Sequence, residues 1–463
     1  MQILLVLAVL AAMLIAEACP HGPVSYAGAR LLAALAAMAL PAGFAALSAR
    51  SVARRLRDDA LPRPVLMRRL KLLRRLHALV WLAMAGLVVG ASGWPQLVRF
   101  NWRLDRVWLV DDLLILAPVL VPMVLSWAAF YEVDRALRGR ADQGAAPAES
   151  LSTRCQYVLT HVRHYLGVFL VPLLVLVAVQ DAAQLWAPQL GHGWRAVALY
   201  AVPLGLLLLG FPLLLRYIWR TSPLGPGPLR ERLEAAARRA GLAVREILVW
   251  HTGGMLVNAA VAGFLPQCRY VFLTDGLLAN LTDQEIEAVF WHEVGHVRHR
   301  HLGLRVVAML APLSLWILSN QLFPELAATL RDRLAHGGLG VQVPVSLVAL
   351  AAMSAYVLLV FGRFSRLLEC QADLYACRML QPEGEIPPAV TFMLALEKLA
   401  AAAALDRKAA GWQHGSVAAR VAFLVHVAGD TDRQRRFQRG IRLRAALLLI
   451  AVVSPLALVL LPG

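Results

Sequence analysis

Two histidines and a glutamate stand at the spacing of a metal site in the segment His-Glu-Val-Gly-His. His292 and His296 are four residues apart, so on a helix they project from one face and both imidazoles can reach one ion. Glu293 lies about 100° around such a helix from His292, where it can act on water as a general base without being a ligand. Zinc suits this pattern, because it accepts imidazole and carboxylate ligands and keeps one position open in catalytic sites.

A candidate third ligand follows in residues 365–373, Ser-Arg-Leu-Leu-Glu-Cys-Gln-Ala-Asp. Glu369 and Asp373 are one turn apart on a predicted helix, and Glu369 can complete a ligand set of two histidines and one glutamate. Asp373 can accept a hydrogen bond from the distal N–H of a ligand histidine and so orient its ring. By itself this spacing is typical of a solvated helix face, but together with the two histidines it favours a zinc site.

Residues 292–296, 365–373 and 414–420 together resemble the motifs of the integral-membrane zinc peptidases, the family of the CAAX prenyl endopeptidase and the bacterial heat-shock protease HtpX. The resemblance spans roughly residues 240–425. It implies a zinc endopeptidase of the gluzincin type, which hydrolyses peptide bonds with a water activated by the metal. One zinc per chain is the implied cofactor.

The resemblance also implies a role for each matching residue. The implied roles are zinc ligand for His292, His296 and Glu369, general base for Glu293, oxyanion stabilisation for His414, support of the site for Asp373 and Arg420, and binding of the substrate backbone along an edge strand for Asn258 and Ala259. One position departs from the family pattern, because Gly415 follows His414 where the family usually has proline.

Local patterns predict the elements that carry these residues. Residues 229–241 read as an amphipathic helix closed by glycine. Three β-like runs follow, at 246–250, 255–262 and 269–273. Thr282 and Glu285 form a capping box that starts the helix of the two histidines. The predicted site therefore stands on a helix that follows a small β-sheet.

The composition indicates a polytopic membrane protein. Hydrophobic residues make up 59% and charged residues 16% of the chain, and the mean hydropathy is +0.61, beyond the averages of soluble domains. Nine segments approach the length of about 20 apolar residues that crosses a bilayer: 2–18, 31–49, 77–98, 112–131, 165–186, 196–218, 303–323, 342–362 and 443–461. The first lacks a positively charged start and is predicted to be a retained span rather than a signal peptide. The predicted fold class is mostly α, with about nine spans and a cytoplasmic gluzincin-type peptidase domain that carries a small β-sheet.

The formal charge of +17 is concentrated between spans. Residues 50–76 carry ten arginines and lysines against two aspartates, and the positive-inside rule places this loop in the cytoplasm. Alternation then places residues 132–164 and 219–302 there as well. We therefore expect a multi-pass protein with a cytoplasmic catalytic domain, and the resemblance implies that its membrane is the bacterial inner membrane. This placement of charge suits topology and anionic lipid headgroups and argues against nucleic acid as a partner.

Five segments follow from these spans. They are a six-span membrane region at 1–218, the first part of the catalytic domain at 219–302, a two-span hairpin at 303–362, the second part of the catalytic domain with the third zinc ligand at 363–441, and a final span at 442–463. The two catalytic parts must fold together across the hairpin, because each holds some of the predicted ligands.

Several other residues are predicted to have no role in the chemistry. His299 and His301 are interpreted as part of an interfacial cationic cluster, Cys370 and Cys377 as buried or neutral helix positions, Trp291 and Trp412 as packing residues, and Asp111 and Asp112 as solvated residues at a span boundary. These interpretations rest on the neighbouring sequence alone.

The expected substrates are polypeptides, above all membrane proteins, and quality control is the role that the resemblance implies. Processing of prenylated peptides is the alternative within the same chemistry. A catalytically silent scaffold or a metal transporter is the alternative of another class, although transporters carry ionisable ligands within their spans. An intramembrane site-2-type protease would have its motif inside an apolar span, and a sensor-transducer would need larger outward segments.

Overall fold

A computed structural model gives the fold of the chain. It describes residues 2–19, 22–58, 63–139, 153–191, 193–254, 256–336, 348, 352–353, 355–403, 406–408 and 415–460. These residues form two compact units, Met1–Thr221 and Ser222–Gly463.

The described residues of the first unit form helices joined by short turns. Its longer helices are α1 Gln2–Ala18, α2 Ala27–Arg57, α3 Arg63–Gly86, α4 Val110–Gly139, α5 Arg154–His161, α6 Val168–Trp186 and α7 Gly193–Ile218. Short helical segments extend or join them at Leu87–Ala91, Trp94–Gln96, Leu97–Asn101, Leu104–Arg106, Val162–Gly167 and Pro188–Gly191.

Six helical stretches among the described residues are long and apolar enough to cross a membrane. They are Ala27–Leu56, Val65–Ala91, Val110–Ala136, Arg154–Trp186, Ala198–Ile218 and His301–Leu322. These stretches correspond to the second to seventh predicted spans, so the prediction of a polytopic, mostly helical membrane protein is confirmed.

The other three predicted spans have different outcomes. The first lies in α1, whose apolar part, Leu4–Glu17, is shorter than the six stretches. The eighth, at 342–362, lies about half outside the described residues, and its described part includes the helical segment Tyr356–Phe361. The ninth, at 443–461, lies in the second half of the helix Thr431–Leu460, whose first half is rich in arginine.

Asp111 and Asp112 correct one prediction, because both are buried rather than solvated at the start of α4. Their exposed fractions are 7% and 8%. Arg99 Nε donates to Asp111 Oδ2 at 3.0 Å, and Arg99 Nη2 donates to Asp112 Oδ1 at 3.4 Å. A buried carboxylate needs a partner, and the short segment Leu97–Asn101 brings this arginine back onto the helix that follows it.

The second unit contains the predicted chemistry. Its elements are β1 Thr221–Pro223, α8 Pro228–Arg239, β2 Glu246–Trp250, β3 Ala259–Ala262, β4 Tyr270–Thr274, α9 Asp275–Asn280, α10 Asp283–Arg298, α11 His301–Leu322, α12 Pro324–His336, α13 Gly362–Met379, α14 Pro388–Ala402, α15 Val417–Val427 and α16 Thr431–Leu460. Short segments at Pro266–Cys268 and Tyr356–Phe361 are also helical.

The strands form one sheet in the order β1-β2-β4-β3. Strand β2 runs parallel to β4 with Leu248 opposite Phe272, and β3 runs antiparallel to β4 with Val261 opposite Val271. The three predicted β-like runs and the helix at 229–241 correspond to β2, β3, β4 and α8. Since β3 stands at the end of this order, one of its edges is free of other described strands.

The core of the second unit lies between the sheet and helices α8, α10, α13 and α14. Large fully buried side chains of this core include Phe290, Trp291 and Phe392. The predicted capping box is present at the start of α10: Glu285 N–H donates to Thr282 Oγ1 at 3.4 Å, and Thr282 N–H donates to Glu285 Oε2 at 2.9 Å. Helix α10 is therefore fixed at its first turn by its own sequence and along its length by the core.

Candidate metal centre

The structure brings His292 and His296 of α10 together with Glu369 of α13. One ligand atom of each residue lies within 4.8 Å of the other two. The two Nε2 atoms are 3.2 Å apart. His292 Nε2 lies 3.7 Å from Glu369 Oε2, and His296 Nε2 lies 3.5 Å from Glu369 Oε1. The three side chains therefore converge on one point between two helices.

These separations fit a tetrahedral zinc ion. Ligand bonds of 2.0–2.2 Å at tetrahedral angles put neighbouring ligand atoms about 3.3–3.6 Å apart. The two Nε2 atoms are 3.2 Å apart, and each lies 3.7 or 3.5 Å from a different carboxylate oxygen of Glu369. His292 and Glu369 are 7% and 1% exposed, while His296 is half-buried. The donor set of two imidazoles and one carboxylate suits a metal ion that retains one open position.

The close approach of α10 and α13 depends on two small residues. A Cβ at Gly295 would lie 3.1 Å from Ala372 Cα and 3.3 Å from Ala372 Cβ. Both positions lie beside ligand residues: Gly295 directly precedes His296, and Ala372 is three residues, nearly one turn, after Glu369. The small residues thus set the distance that lets Glu369 reach the two histidines.

Asp373 and Arg420 support the His292 side of this centre. His292 Nδ1 lies 2.8 Å from Asp373 Oδ1, which is within hydrogen-bond distance. Arg420 binds the same carboxylate with two N–H groups, from Nε at 2.8 Å and from Nη2 at 2.5 Å. The carboxylate has no solvent exposure. A proton on Nδ1 of His292 leaves Nε2 free to bind an ion.

The charges of this trio are consistent with that arrangement. Burial alone would raise the pKa of Asp373, but Arg420 and His292 hold the pKa below its ordinary value. Burial would lower the pKa of His292, but Asp373 raises the pKa above its ordinary value. The pKa of Arg420 is raised because Asp373 outweighs the effect of burial. Asp373 is therefore a carboxylate, able to accept from both neighbours.

His301 corrects a prediction from the sequence and supports the other ligand histidine. It is fully buried, not part of an interfacial cationic cluster, and its Nδ1 lies 2.7 Å from His296 Nδ1. His301 Nε2 lies 3.0 Å from Gln371 Oε1, and Gln371 Nε2 donates to Gln438 Oε1 at 2.5 Å. A histidine at the start of an apolar helix has similar sequence neighbours whether it faces the membrane interface or the protein core. The local sequence therefore could not predict the contact between His301 and His296.

This chain of contacts allows only one set of protons when His296 binds an ion through Nε2. His296 Nδ1 then carries the proton and donates to His301 Nδ1, which leaves the His301 proton on Nε2, where it donates to Gln371. Burial and the neighbouring His292 also lower the pKa of His296. Both features favour the neutral imidazole that binds metals.

Arg305 was also not predicted and contacts the third ligand residue. Its Nη2 donates to Glu369 Oε1 at 2.7 Å. This contact orients the carboxylate and offsets its charge in a site that is almost closed to solvent. Arg305 stands one turn after His301, the first residue of α11, so the only sequence signal was the spacing of two polar residues on an apolar helix.

The other predicted site residues have different outcomes. Glu293 lies on α10 next to the first ligand histidine, is half-buried, and contributes to the raised pKa of His292. His414 and Trp412 lie outside the described residues. Trp291 is fully buried and its indole donates to Glu287 Oε1 at 3.0 Å, so its interpretation as a packing residue is confirmed.

The two cysteines of α13, Cys370 and Cys377, are half-buried. Burial raises the pKa of Cys370 and Cys377 to about 12. A thiol must lose its proton to bind a metal, so these side chains do not compete with Glu369 as ligands.

Asn258 and Ala259 lie where the sequence predicted, at the start of the edge strand β3. Asn258 is exposed and Ala259 is buried. Thr274 N–H donates to Asn258 C=O at 3.0 Å, so in the antiparallel register Ala260 and Ala262 face β4 with their backbone groups. The N–H and C=O groups of Ala259 and Val261 therefore point toward the open edge.

The loop before this strand is held by a carboxylate that the sequence did not single out. Asp275 accepts hydrogen bonds from the N–H groups of Thr252 and Gly253, at 2.9 and 2.7 Å. Gly276 lets the loop approach closely, because a Cβ there would clash with the carbonyl oxygen of Leu256. The entry to β3 is thus preorganised by contacts with the start of α9.

Comparisons with known proteins agree with this arrangement. Residues 224–428 match the family model of peptidase family M48. A Protease HtpX homolog from Aeropyrum pernix is 30% identical over 173 residues, which are 36% of this chain and 51% of that protein. Protease HtpX from Histophilus somni is 26% identical over 145 residues, 31% of this chain and 49% of that protein. The chain spans about half the length of these curated relatives.

Among solved structures the chain is similar to S. mikatae Ste24p, with a TM-score of 0.44 and 17% identity over 87% of this chain and 99% of that one. The resemblance to the membrane zinc peptidases that three short motifs predicted is confirmed by the family match for residues 224–428.

Proposed function

We propose, from the match of residues 224–428 to peptidase family M48, that this protein is a membrane-embedded zinc-dependent endopeptidase. The convergence of His292, His296 and Glu369 from two packed helices carries the proposal. The supporting contacts of Asp373 and His301 add to it, since both orient a ligand histidine in the way that metal sites require.

The chain's own residues supply the remaining steps of peptide hydrolysis. When bound, zinc supplies a Lewis acid that polarises the scissile carbonyl and makes water more acidic. Glu293 accepts a proton from the attacking water and later donates it to the leaving amine. Its place beside His292, outside the ligand set, supports this role.

His414 is proposed to donate a hydrogen bond to the oxyanion that develops on the substrate carbonyl. This role rests on the resemblance of residues 414–420, of which residues 415–420 are described. Ser416 caps α15, and Arg420 binds Asp373. Donors of this kind contribute about 2.7–4 kcal/mol to transition-state stabilisation.

The substrate is proposed to add to the open edge of β3 as an extended strand. The outward backbone groups of Ala259 and Val261 support this, because strand addition uses main-chain hydrogen bonds. Such binding depends little on side chains, so polypeptides of varied sequence are the proposed substrates. Val261→Pro should raise KM without changing zinc content, whereas Val261→Thr, which keeps the N–H, should leave KM close to wild type.

We propose membrane proteins as the physiological substrates, in quality control at the bacterial inner membrane, with the catalytic domain in the cytoplasm. The long apolar helices and the cationic segment at 50–76 support this placement. A reporter fused at residue 140 should read out on the cytoplasmic side. Faster cleavage of a prenylated peptide than of the same peptide without the lipid would instead favour prenyl-peptide processing.

We also propose the domain organisation given by the sequence. Residues 219–302 and 363–441 together make the catalytic domain across the hairpin 303–362, and residues 1–218 and 442–463 are membrane segments. The boundary of the compact units at Ser222 and the meeting of Glu369 with both histidines support this division.

Removal of the metal tests the proposed function directly. Full-length protein in detergent should contain one zinc per chain and cleave an unfolded model substrate. A chelator should abolish cleavage and added zinc should restore it, because the three ligands persist in the folded chain. One bound zinc without cleavage of any soluble, membrane or prenylated substrate would favour the scaffold, and absence of zinc would contradict the proposed site.

His301→Phe is expected to weaken zinc binding by about 10- to 100-fold, the usual cost of losing a partner of a ligand histidine. The change leaves His296 Nδ1 without its hydrogen-bond partner. His301→Gln keeps an acceptor for His296 and a donor for Gln371, so its affinity should remain within a few-fold of wild type. Competition with a chelating dye at fixed pH measures both values.

His299→Gln is the matched control for this prediction. It removes a neighbouring imidazole whose ring stacks on His301 at 5.6 Å between centroids but does not bind a ligand histidine in the described structure. Equal zinc affinity of wild type and His301→Phe would show that His301 only fills space in the core.

A further inference from the structure

A long groove runs between α2 and α4 in the first unit, apart from the metal centre. Its volume is about 870 Å³. One part of its lining consists of alanines and a leucine, and the other part carries arginines. We call it the alanine–arginine groove; it is lined on α2 by Ala42, Ala46, Ala49, Arg50, Ala53 and Arg54, and on α4 and α5 by Leu125, Ala128, Ala129, Glu132, Arg135, Ala136 and Arg154.

The apolar part of the groove results from the spacing of small residues. On α2, the residues Ala42, Ala46, Ala49 and Ala53 follow one another at intervals of four, three and four, so they share one helix face. Ala128 and Ala129 of α4 line the opposite wall. Ala49 and Ala53 pack in the core between the two helices together with Phe130 and Val133. Because the side chains along this seam are short, they leave a concave channel beside the core.

The charged part of the groove is strongly basic. Arg50, Arg54, Arg135 and Arg154 are all exposed, and Glu132 is the one acidic side chain in the lining, which gives a net formal charge of +3. Arg154 Nη2 donates to Glu132 Oε1 at 3.0 Å. For the other three arginines, the described residues include no carboxylate within ion-pair distance.

The groove follows the direction of the membrane spans. Ala34 and Ala37 of α2 pack with Ile115, and Ala45 to Leu56 pack with Phe130 and Val133, so α2 and α4 run parallel. From Ala42 to Arg54 the groove extends about 18 Å along α2. Arg50, Arg54 and Arg135 stand in the last turns of the spans Ala27–Leu56 and Val110–Ala136, at the level of the headgroups. Alanines stand beside them there, whereas Ala42, Ala46, Leu125, Ala128 and Ala129 lie deeper, at the level of the hydrocarbon.

We propose that the alanine–arginine groove binds one anionic phospholipid. The arginines bind the phosphate, for which the guanidinium is well matched, and one acyl chain lies along the alanines. Basic pockets between membrane helices bind anionic headgroups in this way. A zwitterionic lipid fits less well, because its ammonium group finds a net positive charge and a glutamate already paired with Arg154.

The lining also argues against a peptide as the occupant. An extended polypeptide in the hydrocarbon must find a partner for each backbone N–H and C=O group. Below the arginines the groove offers only alanine and leucine side chains, whereas an acyl chain needs no hydrogen bonds. The lipid is therefore the occupant whose two chemically different ends match both parts of the groove.

Native mass spectrometry of the full-length protein tests this proposal, after exposure to phosphatidylglycerol or phosphatidylethanolamine with identical acyl chains. Wild type should retain one phosphatidylglycerol in preference to phosphatidylethanolamine. The triple variant Arg50→Gln, Arg54→Gln, Arg135→Gln should lose this preference, since each basic residue near the surface contributes roughly fivefold to the affinity for anionic lipid.

The control variant Arg68→Gln, Lys71→Gln, Arg75→Gln removes the same charge from α3, outside the groove, and should bind phosphatidylglycerol like wild type. A second variant, Ala46→Leu with Ala128→Leu, fills the apolar part without changing charge and should also reduce lipid retention. This variant keeps the proposal testable if the arginine variant does not fold. Thermal unfolding and monodispersity show whether each variant is folded.

Several results would overturn the proposal. Equal retention of phosphatidylglycerol and phosphatidylethanolamine by wild type would do so. An equal loss of phosphatidylglycerol binding in the groove variant and the control variant would also do so, because it would assign the effect to general surface charge. Unchanged retention in the folded Ala46→Leu, Ala128→Leu variant would place the lipid elsewhere. The outcome does not depend on whether the protein is a peptidase.

Discussion

Replacing Glu293 with glutamine is expected to abolish peptide hydrolysis while one zinc remains bound per chain. The amide has nearly the shape of the carboxylate but cannot accept the proton of the attacking water, and general base catalysis contributes roughly 100- to 10,000-fold to such rates. The three ligand residues are unchanged, so the metal content should be unchanged too. Cleavage of an unfolded substrate and elemental analysis of the same sample measure the two quantities.

Asp283→Asn is a suitable control, because Asp283 is an exposed carboxylate at the start of the same helix. It should cleave at the wild-type rate. Retained hydrolysis in Glu293→Gln would exclude Glu293 as the base. Loss of zinc together with activity would mean that the residue acts on the metal site itself rather than on the substrate's water.

The largest effect on stability is expected from Arg420→Met. This change leaves the carboxylate of Asp373 buried without its bidentate partner, and breaking a buried ion pair from one side typically costs about 3–5 kcal/mol. The expected fall in the free energy of unfolding can be measured by denaturant titration in detergent. Arg420→Lys should have an intermediate effect, since lysine keeps the charge but not the two parallel hydrogen bonds.

A double variant separates stability from the metal site. Arg420→Met combined with Asp373→Leu removes both charges and should recover much of the stability, because apolar residues often replace a buried ion pair well. Zinc affinity should stay about 10- to 100-fold below wild type, since His292 has lost the carboxylate that orients its ring. Recovery of both properties would mean that Asp373 serves only to balance Arg420.

An exposed ion pair serves as the control for the change in the free energy of unfolding expected at Arg420. Arg433 Nε lies 2.9 Å from Asp430 Oδ2, with both side chains about two-fifths exposed. Arg433→Met should change the free energy of unfolding by less than about 1 kcal/mol. A similar loss in Arg433→Met and Arg420→Met would contradict the importance of burial at the metal centre.

The sequence by itself determined the features that depend on neighbouring residues. Spacing along one helix placed His292 and His296 on the same face, and Thr282 with Glu285 fixed where that helix begins, because both relations involve residues three or four apart. Hydropathy over about 20 residues predicted six helices that the structure confirms. The strands β2, β3 and β4 followed from short β-like runs between turns.

Only the tertiary structure decided which distant residues meet. Glu369 reaches the two histidines because Gly295 and Ala372 let their helices approach. His301 and Gln371 are 70 residues apart in the chain and form a contact behind His296. Such contacts depend on how whole helix surfaces pack, and the sequence pattern of an apolar helix start is the same for a residue that faces a lipid headgroup and one that faces the core.

Helix packing, which the sequence pattern does not determine, also explains why the burial of Asp111 and Asp112 was not predicted. It explains as well why the sequence did not suggest the alanine–arginine groove. Asp111 and Asp112 stand at a span boundary, where solvation is usual, but Arg99 is folded back onto them. The alanines of α2 are ordinary helix formers in sequence, and they become one wall of a groove only because α4 runs beside them. Periodicity determines the face on which a residue lies, whereas the packing of helices determines what that face contacts.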